Sequence, residues 1–297
     1  MALAKATALI FSLSLGFVAL GARSQSTPTV VSPPRSTTTE GAEPLDATLS
    51  PECRVPSSKL YALNGLTAVK AALAEKRPVR VLAVGAPAAS AGASTSYPVK
   101  LESALERSIP NVDVEIEGRG LPGEIASGAA ERLRTMVAEF EPDLVIWQVG
   151  THDALARVEI DVFADALTEA VQWIKSHDMD VVLVDPLYTA SLADDAYYSS
   201  IVQKVKEIAA REKVPLVQRY EAMRYLANHA GDKGEGHMLG QQFRLNDLGL
   251  RCMAEHVSRA ISLSLLQTER TAVPPSTEGV RAAAPAGSSP ATEPTGR

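Results

Sequence analysis

The chain has 297 residues, of which 45% are hydrophobic and 22% charged, enough for one ordinary globular domain with extensions or for two small ones. A formal charge of −6 excludes a nucleic-acid binder driven by clustered Lys and Arg, and an aromatic content of 5% argues against a surface built mainly for stacking sugars or bases. With only Cys53 and Cys252, neither CxxC metal spacing nor a disulfide-dense miniprotein is possible.

Residues 1–24 read as an export signal. Lys5 supplies a short positive start, residues 6–22 are apolar and uncharged, and Ala22 and Ser24 suit the small positions before a cleavage site. The apolar stretch also meets the lower limit for a membrane span, about 17 residues, so a retained anchor is the competing reading and the only one that implies membrane contact. The expected destination is periplasmic or secreted. Residues 25–52 are rich in Ser, Thr and Pro, and residues 268–297 in Pro, Ala, Ser, Thr and Gly. Neither has apolar periodicity to offset ordering entropy, so a disordered linker and tail are expected around a single domain at 53–267. Export places Cys53 and Cys252 in an oxidising compartment, where a disulfide between the start of the domain and its last helix is expected over two buried thiols.

Buried strands are predicted at Val79–Val84, 112–117, 144–149 and 180–185, with a short one at 214–218. Between them, apolar residues recur at helical spacing: Leu101 and Leu105 with Ser108; Leu133, Met136, Val137 and Phe140; Val162, Phe163, Leu167, Val171 and Ile174; Ile201, Val205 and Ile208. A last helix is expected over 247–266. Alternating strands and helices predict a parallel sheet covered on both faces, with ligand chemistry at the carboxyl ends of the strands. That directs attention to 85–92, 118–123 and 150–153.

The segment Gly118-Arg-Gly120-Leu-Pro-Gly123 matches the dinucleotide fingerprint and follows a strand. The acid that should end the next strand is misplaced, because Asp143 starts one and Asp153 lies 30 residues beyond Gly123. Pro122 also removes an N–H from the loop. The glycines are equally well explained by a tight turn. GxSxG, HExxH, the P-loop and calcium-loop patterns are absent, and the five histidines His152, His177, His229, His237 and His256 are scattered along the chain. No metal or cofactor is expected. His152, beside Asp153 after an apolar strand, reads either as a polar residue serving strand-end backbone groups or as an N–H donor at the mouth of a pocket.

The order of these segments resembles the SGNH (GDSL) hydrolase family over most of 79–262. The first block, a strand followed by Gly-Asp-Ser, is similar to Val-Arg-Val-Leu-Ala-Val-Gly85-Ala86-Pro87. The second is a glycine, matched by Gly123. The third, Gly-x-Asn-Asp, is similar to Gly150-Thr-His152-Asp153. The last, Asp-x-x-His, resembles Gln241-Gln-Phe-Arg244, followed by Leu-Asn-Asp-Leu-Gly. The resemblance implies a three-layer α/β/α sandwich with a flavodoxin-like parallel sheet, and descent from ester hydrolases. It also implies that the nucleophile position holds Pro87, the acid position Gln241 and the base position Arg244, while Gly123 and His152 stand where oxyanion donors would. Arginine does not deprotonate in proteins and cannot serve as general base. Nucleophile, base and orienting acid are then replaced together. The expected outcome is a degenerate site that binds an acyl or anionic small ligand or a partner. A relocated pair of Ser90 with His237, with Ser94 and Ser96 nearby, is the alternative, an active esterase or deacylase.

Overall fold

The computed structural model describes residues 44–85, 95–231, 238–240 and 243–267. Its centre is a sheet whose inner strands are continuous apolar runs: β2 (Val79–Val84), β4 (Leu144–Gln148) and β5 (Asp180–Val184). Nearly every residue in them is buried, as a parallel sheet covered on both faces requires. β3 (Val114–Arg119) lies at one edge and is half-exposed. At the other edge, β6 (Leu216–Val217) pairs antiparallel with β1 (Tyr61–Ala62). The order is β1-β6-β5-β4-β2-β3, and all pairs except β1–β6 are parallel. Counted along the chain, the five parallel strands run 2-1-3-4-5, the flavodoxin-like order, with its switch of direction between β2 and β4.

The helices are α1 (Thr67–Glu75), α2 (Tyr97–Ser108), α3 (Ala126–Phe140), α4 (Thr151–Leu155), α5 (Ile160–Ser176), α6 (Ala196–Glu212), α7 (Arg219–His229) and α8 (Asp247–Leu265). α5 shows why they form. Phe163, Leu167, Ala170, Val171 and Ile174 make one stripe at helical spacing, and all are buried. α3, α5 and α6 pack in succession as one layer, and α2 packs against α8 in the other. Asp195 caps α6 by accepting the N–H groups of Tyr197 and Tyr198, and Asn246 caps α8 by accepting that of Gly249.

Several boundaries differ from the sequence reading. The second predicted strand, 112–117, sits two residues later, so Gly118 lies inside β3. Val162, assigned to an apolar face, is exposed, because it falls outside the stripe that begins at Phe163. β1, α1, α4 and α7 were not anticipated. The packed chain starts before residue 53: Leu49 and Asp46 are buried, and Asp46 Oδ2 pairs with Arg259 Nε of α8 at 2.9 Å. Cys53 and Cys252 form the expected disulfide, with Cα atoms 5.0 Å apart. The predicted signal at 1–24, most of the predicted linker and the tail at 268–297 lie outside the described residues. Among the described residues, no helix is long and apolar enough to cross a membrane.

Candidate functional site

A cleft of about 290 Å³ opens at the carboxyl ends of β2 and β4, at the switch point of the sheet. Gly85 ends β2 with φ 78°, and a Cβ there would stand 2.3 Å from the carbonyl oxygen of Gln148 at the end of β4. Only glycine lets the two strand ends approach so closely.

One wall is the turn Leu121–Glu124, closed by the Glu124 N–H donating to Leu121 O at 3.2 Å. Gly123 has φ 75° and open space where a side chain would go, so the backbone conformation, not crowding, calls for glycine. Both flanks of the turn are held. The Glu124 carboxylate pairs with Arg132 of α3. Asp153 Oδ1 accepts the Ala126 N–H at 2.8 Å, so this buried carboxylate serves the first turn of α3 from a distance. Burial raises the pKa of Asp153, against the backbone hydrogen bonds that lower it.

His152 lies in the first turn of α4, exposed on the rim of the cleft. Loss of hydration on the side facing the cleft holds its pKa below the ordinary histidine range, only partly offset by Asp153. Phe243 and Arg244 also line the cleft. Their segment is pinned by Gly240 N–H to Arg244 O at 2.8 Å and by Asn246 N–H to Met238 O at 2.9 Å. α8 then brings Leu250 and Met253 to the cleft.

The floor holds a residue that sequence reasoning missed. Arg219, the first residue of α7, lines the cleft while being only 6% exposed. Its Nε donates to the backbone oxygen of Asp185 at 2.8 Å, and its Nη1 donates to Gln148 Oε1 at 2.8 Å and approaches Met253 Sδ at 3.6 Å. Asp185 follows β5, accepts the Tyr220 N–H at 2.8 Å, and is pushed by burial up to about 7. Burial also lowers the pKa of Arg219, so for each group desolvation outweighs the attraction of the other.

Gly123, His152 and Arg244 therefore line one cleft. Pro87, Ser90, Ser94, His237 and Gln241 lie outside the described residues, and Ser96 stands just before α2. The dinucleotide reading loses its parts: Gly118 belongs to a strand, and Asp153 is committed to α3. Asp143, at the far end of β4, accepts the Arg80 N–H and pairs with Arg77. His177 and His229 each meet a backbone oxygen on their own helix, whereas His256 is buried with Nε2 2.7 Å from Cys53 O. Among the described residues, no group of three or more His, Cys, Asp or Glu side chains could hold a metal ion.

The chain was compared with known proteins. The model of the Non-GDSL lipase-like family matches residues 52–266. No curated protein matches. The solved structures include a lipase/acylhydrolase from Enterococcus faecalis, 22% identical, covering 62% of this chain and 96% of its own, with a TM-score of 0.50. The acetylxylan esterase Axe2 from Geobacillus stearothermophilus is 16% identical over 62% of this chain and 94% of its own, with a TM-score of 0.53. The esterase EstA from Pseudoalteromonas sp., solved inhibited by monoethylphosphonate, is 17% identical over 63% of this chain and 98% of its own, with a TM-score of 0.51. At these identities the likeness is one of fold, the α/β fold of SGNH hydrolases.

Proposed function

The chain belongs to the Non-GDSL lipase-like family, and from that premise we propose that its cleft binds a small acyl or anionic ligand without the family fold's usual serine chemistry. The observation that carries this reading is Arg244 on the same cleft as Gly123 and His152. Arg244 occupies the base position in the SGNH alignment, and a guanidinium cannot take a proton from a nucleophile. In that alignment Pro87 offers no hydroxyl, and Gln241 cannot supply the carboxylate that orients a base. What is retained suits binding: a glycine turn, an imidazole at the rim and a cation facing the cavity. We further propose that the protein is exported, which the Cys53–Cys252 disulfide supports, since such bonds persist in oxidising compartments.

The test uses the full chain, a fluorophosphonate probe and p-nitrophenyl acetate. The expected result is no stoichiometric labelling and ester turnover near background. Labelling that disappears in Ser90→Ala or His237→Ala would instead establish an active esterase with a relocated pair. A folded triple variant, Pro87→Ser with Gln241→Asp and Arg244→His, should regain labelling. Its failure to do so would mean that the block assignment is wrong.

A further inference from the structure

Arg219 has a physical difficulty that a ligand would resolve. A guanidinium is charged at every working pH, and a charge this deeply buried is ordinarily paired. Among the described residues, no carboxylate oxygen lies within ion-pair distance of it; its oxygen acceptors are the Asp185 carbonyl and the Gln148 amide oxygen. Residues 86–94, which follow β2, contain no Asp or Glu. Gln148 adds a second donor. A guanidinium only donates, so the amide oxygen of Gln148 must face Arg219, which turns Nε2 away. That Nε2 is buried with no hydrogen-bond partner among the described residues. Both residues line the cleft.

We propose that Arg219 and the Gln148 amide together receive the carboxylate of a short amphiphilic monocarboxylate, whose hydrocarbon part lies on Leu187, Leu250, Met253 and Phe243. This rests on the reading of the cleft as a ligand site and names its ligand class and its anchor. The planar fork of arginine matches a carboxylate. Beyond Arg219 and Gln148, the lining offers Leu187, Phe243, Leu245, Leu250 and Met253 to an alkyl chain. A volume of about 290 Å³ is at the small end for ligand pockets, so the chain is a short one such as hexanoate. Arg244, nearer the mouth, attracts anions without fixing their orientation.

The test titrates hexanoate and neutral 1-hexanol into the full chain by calorimetry at fixed ionic strength. Hexanoate should saturate and bind at least about tenfold more tightly than hexanol, the range of a charge-assisted hydrogen bond. Arg219→Met should erase that preference. Because removal of a buried arginine also disturbs packing, Gln148→Glu is the second variant. It puts a carboxylate where Oε1 already accepts from Arg219, so the protein should stay folded, lose at least about tenfold in hexanoate affinity and keep its hexanol affinity. Hexanoate binding unchanged in Gln148→Glu, or absent from the wild type, overturns the proposal. Binding that survives Gln148→Glu but is lost in Arg244→Ala puts the carboxylate at the rim, and overturns this assignment while leaving the binding cleft intact. Fluorophosphonate labelling of the wild type would overturn the parent reading whatever the hexanoate result.

Discussion

Asp185 is the carboxylate whose titration should weigh most on stability near neutral pH. Its side chain is fully buried, Oδ1 accepts one backbone N–H, and Oδ2 has no hydrogen-bond partner among the described residues. Burial raises its pKa from 3.8 to about 7. Between those values the folded protein holds a proton that the unfolded chain has released. Its contribution is therefore fully present at low pH, declines as pH rises from about 4 to about 7, and is flat above. Asp185→Asn should remove that slope while its amide oxygen keeps the bond to Tyr220. Urea midpoints should show the variant more stable than wild type at pH 8, by up to a few kcal/mol at ~1.4 kcal/mol per unit, with a clearly smaller gain at pH 5. An equal difference at both pH values would mean that Asp185 is already ionised throughout. His256 works in the opposite direction. Burial lowers its pKa, so its contribution is complete above the ordinary histidine range and is lost as pH falls below it.

The elements of the site were legible in unequal measure. β2, β4 and β5 are unbroken apolar runs, and a parallel sheet covered on both faces follows from their alternation with amphipathic helices, whereas the flavodoxin-like order was implied only by the family resemblance. The glycine turn was legible from its residues, but the meeting of Gly123, His152 and Arg244 at one cleft was legible only through a family pattern, since no periodicity links residue 123 to residue 244. α7 escaped because it is short and polar-rich, with Tyr220, Met223 and Leu226 as its only large buried side chains besides Arg219, and its start after a two-residue strand has no side-chain cap. Arg219 escaped with it. Nothing local marks an arginine as buried; its burial follows from where β5 and β4 end. The role of Asp153 was illegible for a related reason. Its partner is the start of α3, 27 residues earlier in the chain. Asp153→Ala should leave the Ala126 N–H without its buried acceptor and destabilise the protein by ~1–3 kcal/mol. It should also loosen the Gly123 turn, so amide exchange over 121–126 should rise above any global change. Exchange that rises uniformly across the protein would remove the special tie between Asp153 and that turn.

At the scale of the whole molecule, residues 44–60 form a strap across α8, the helix that also supplies Leu250 and Met253 to the cleft. The strap has a covalent tie, Cys53–Cys252, and several polar ones: Ser50 N–H to Glu255 Oε2 at 2.8 Å, Asp46 with Arg259, Glu52 with Arg251 at 3.5 Å, and His256 Nε2 to Cys53 O. The disulfide spans 199 positions, so chain entropy alone sets an upper bound of about 5 kcal/mol on its contribution. The measured loss should be smaller, because a reduced, unfolded chain keeps residual structure and does not regain the full loop entropy. Cys53→Ala with Cys252→Ala should therefore fold, melt cooperatively and lose ~2–4 kcal/mol. Combining that pair with Glu255→Gln and Arg259→Met should cost more than the two sets do separately, since each set limits how far the strap moves when the other is lost. Denaturation of all three proteins measures the coupling. Strict additivity would mean that the disulfide acts only on the unfolded chain, and that the polar ties contribute the same amount with the bond or without it.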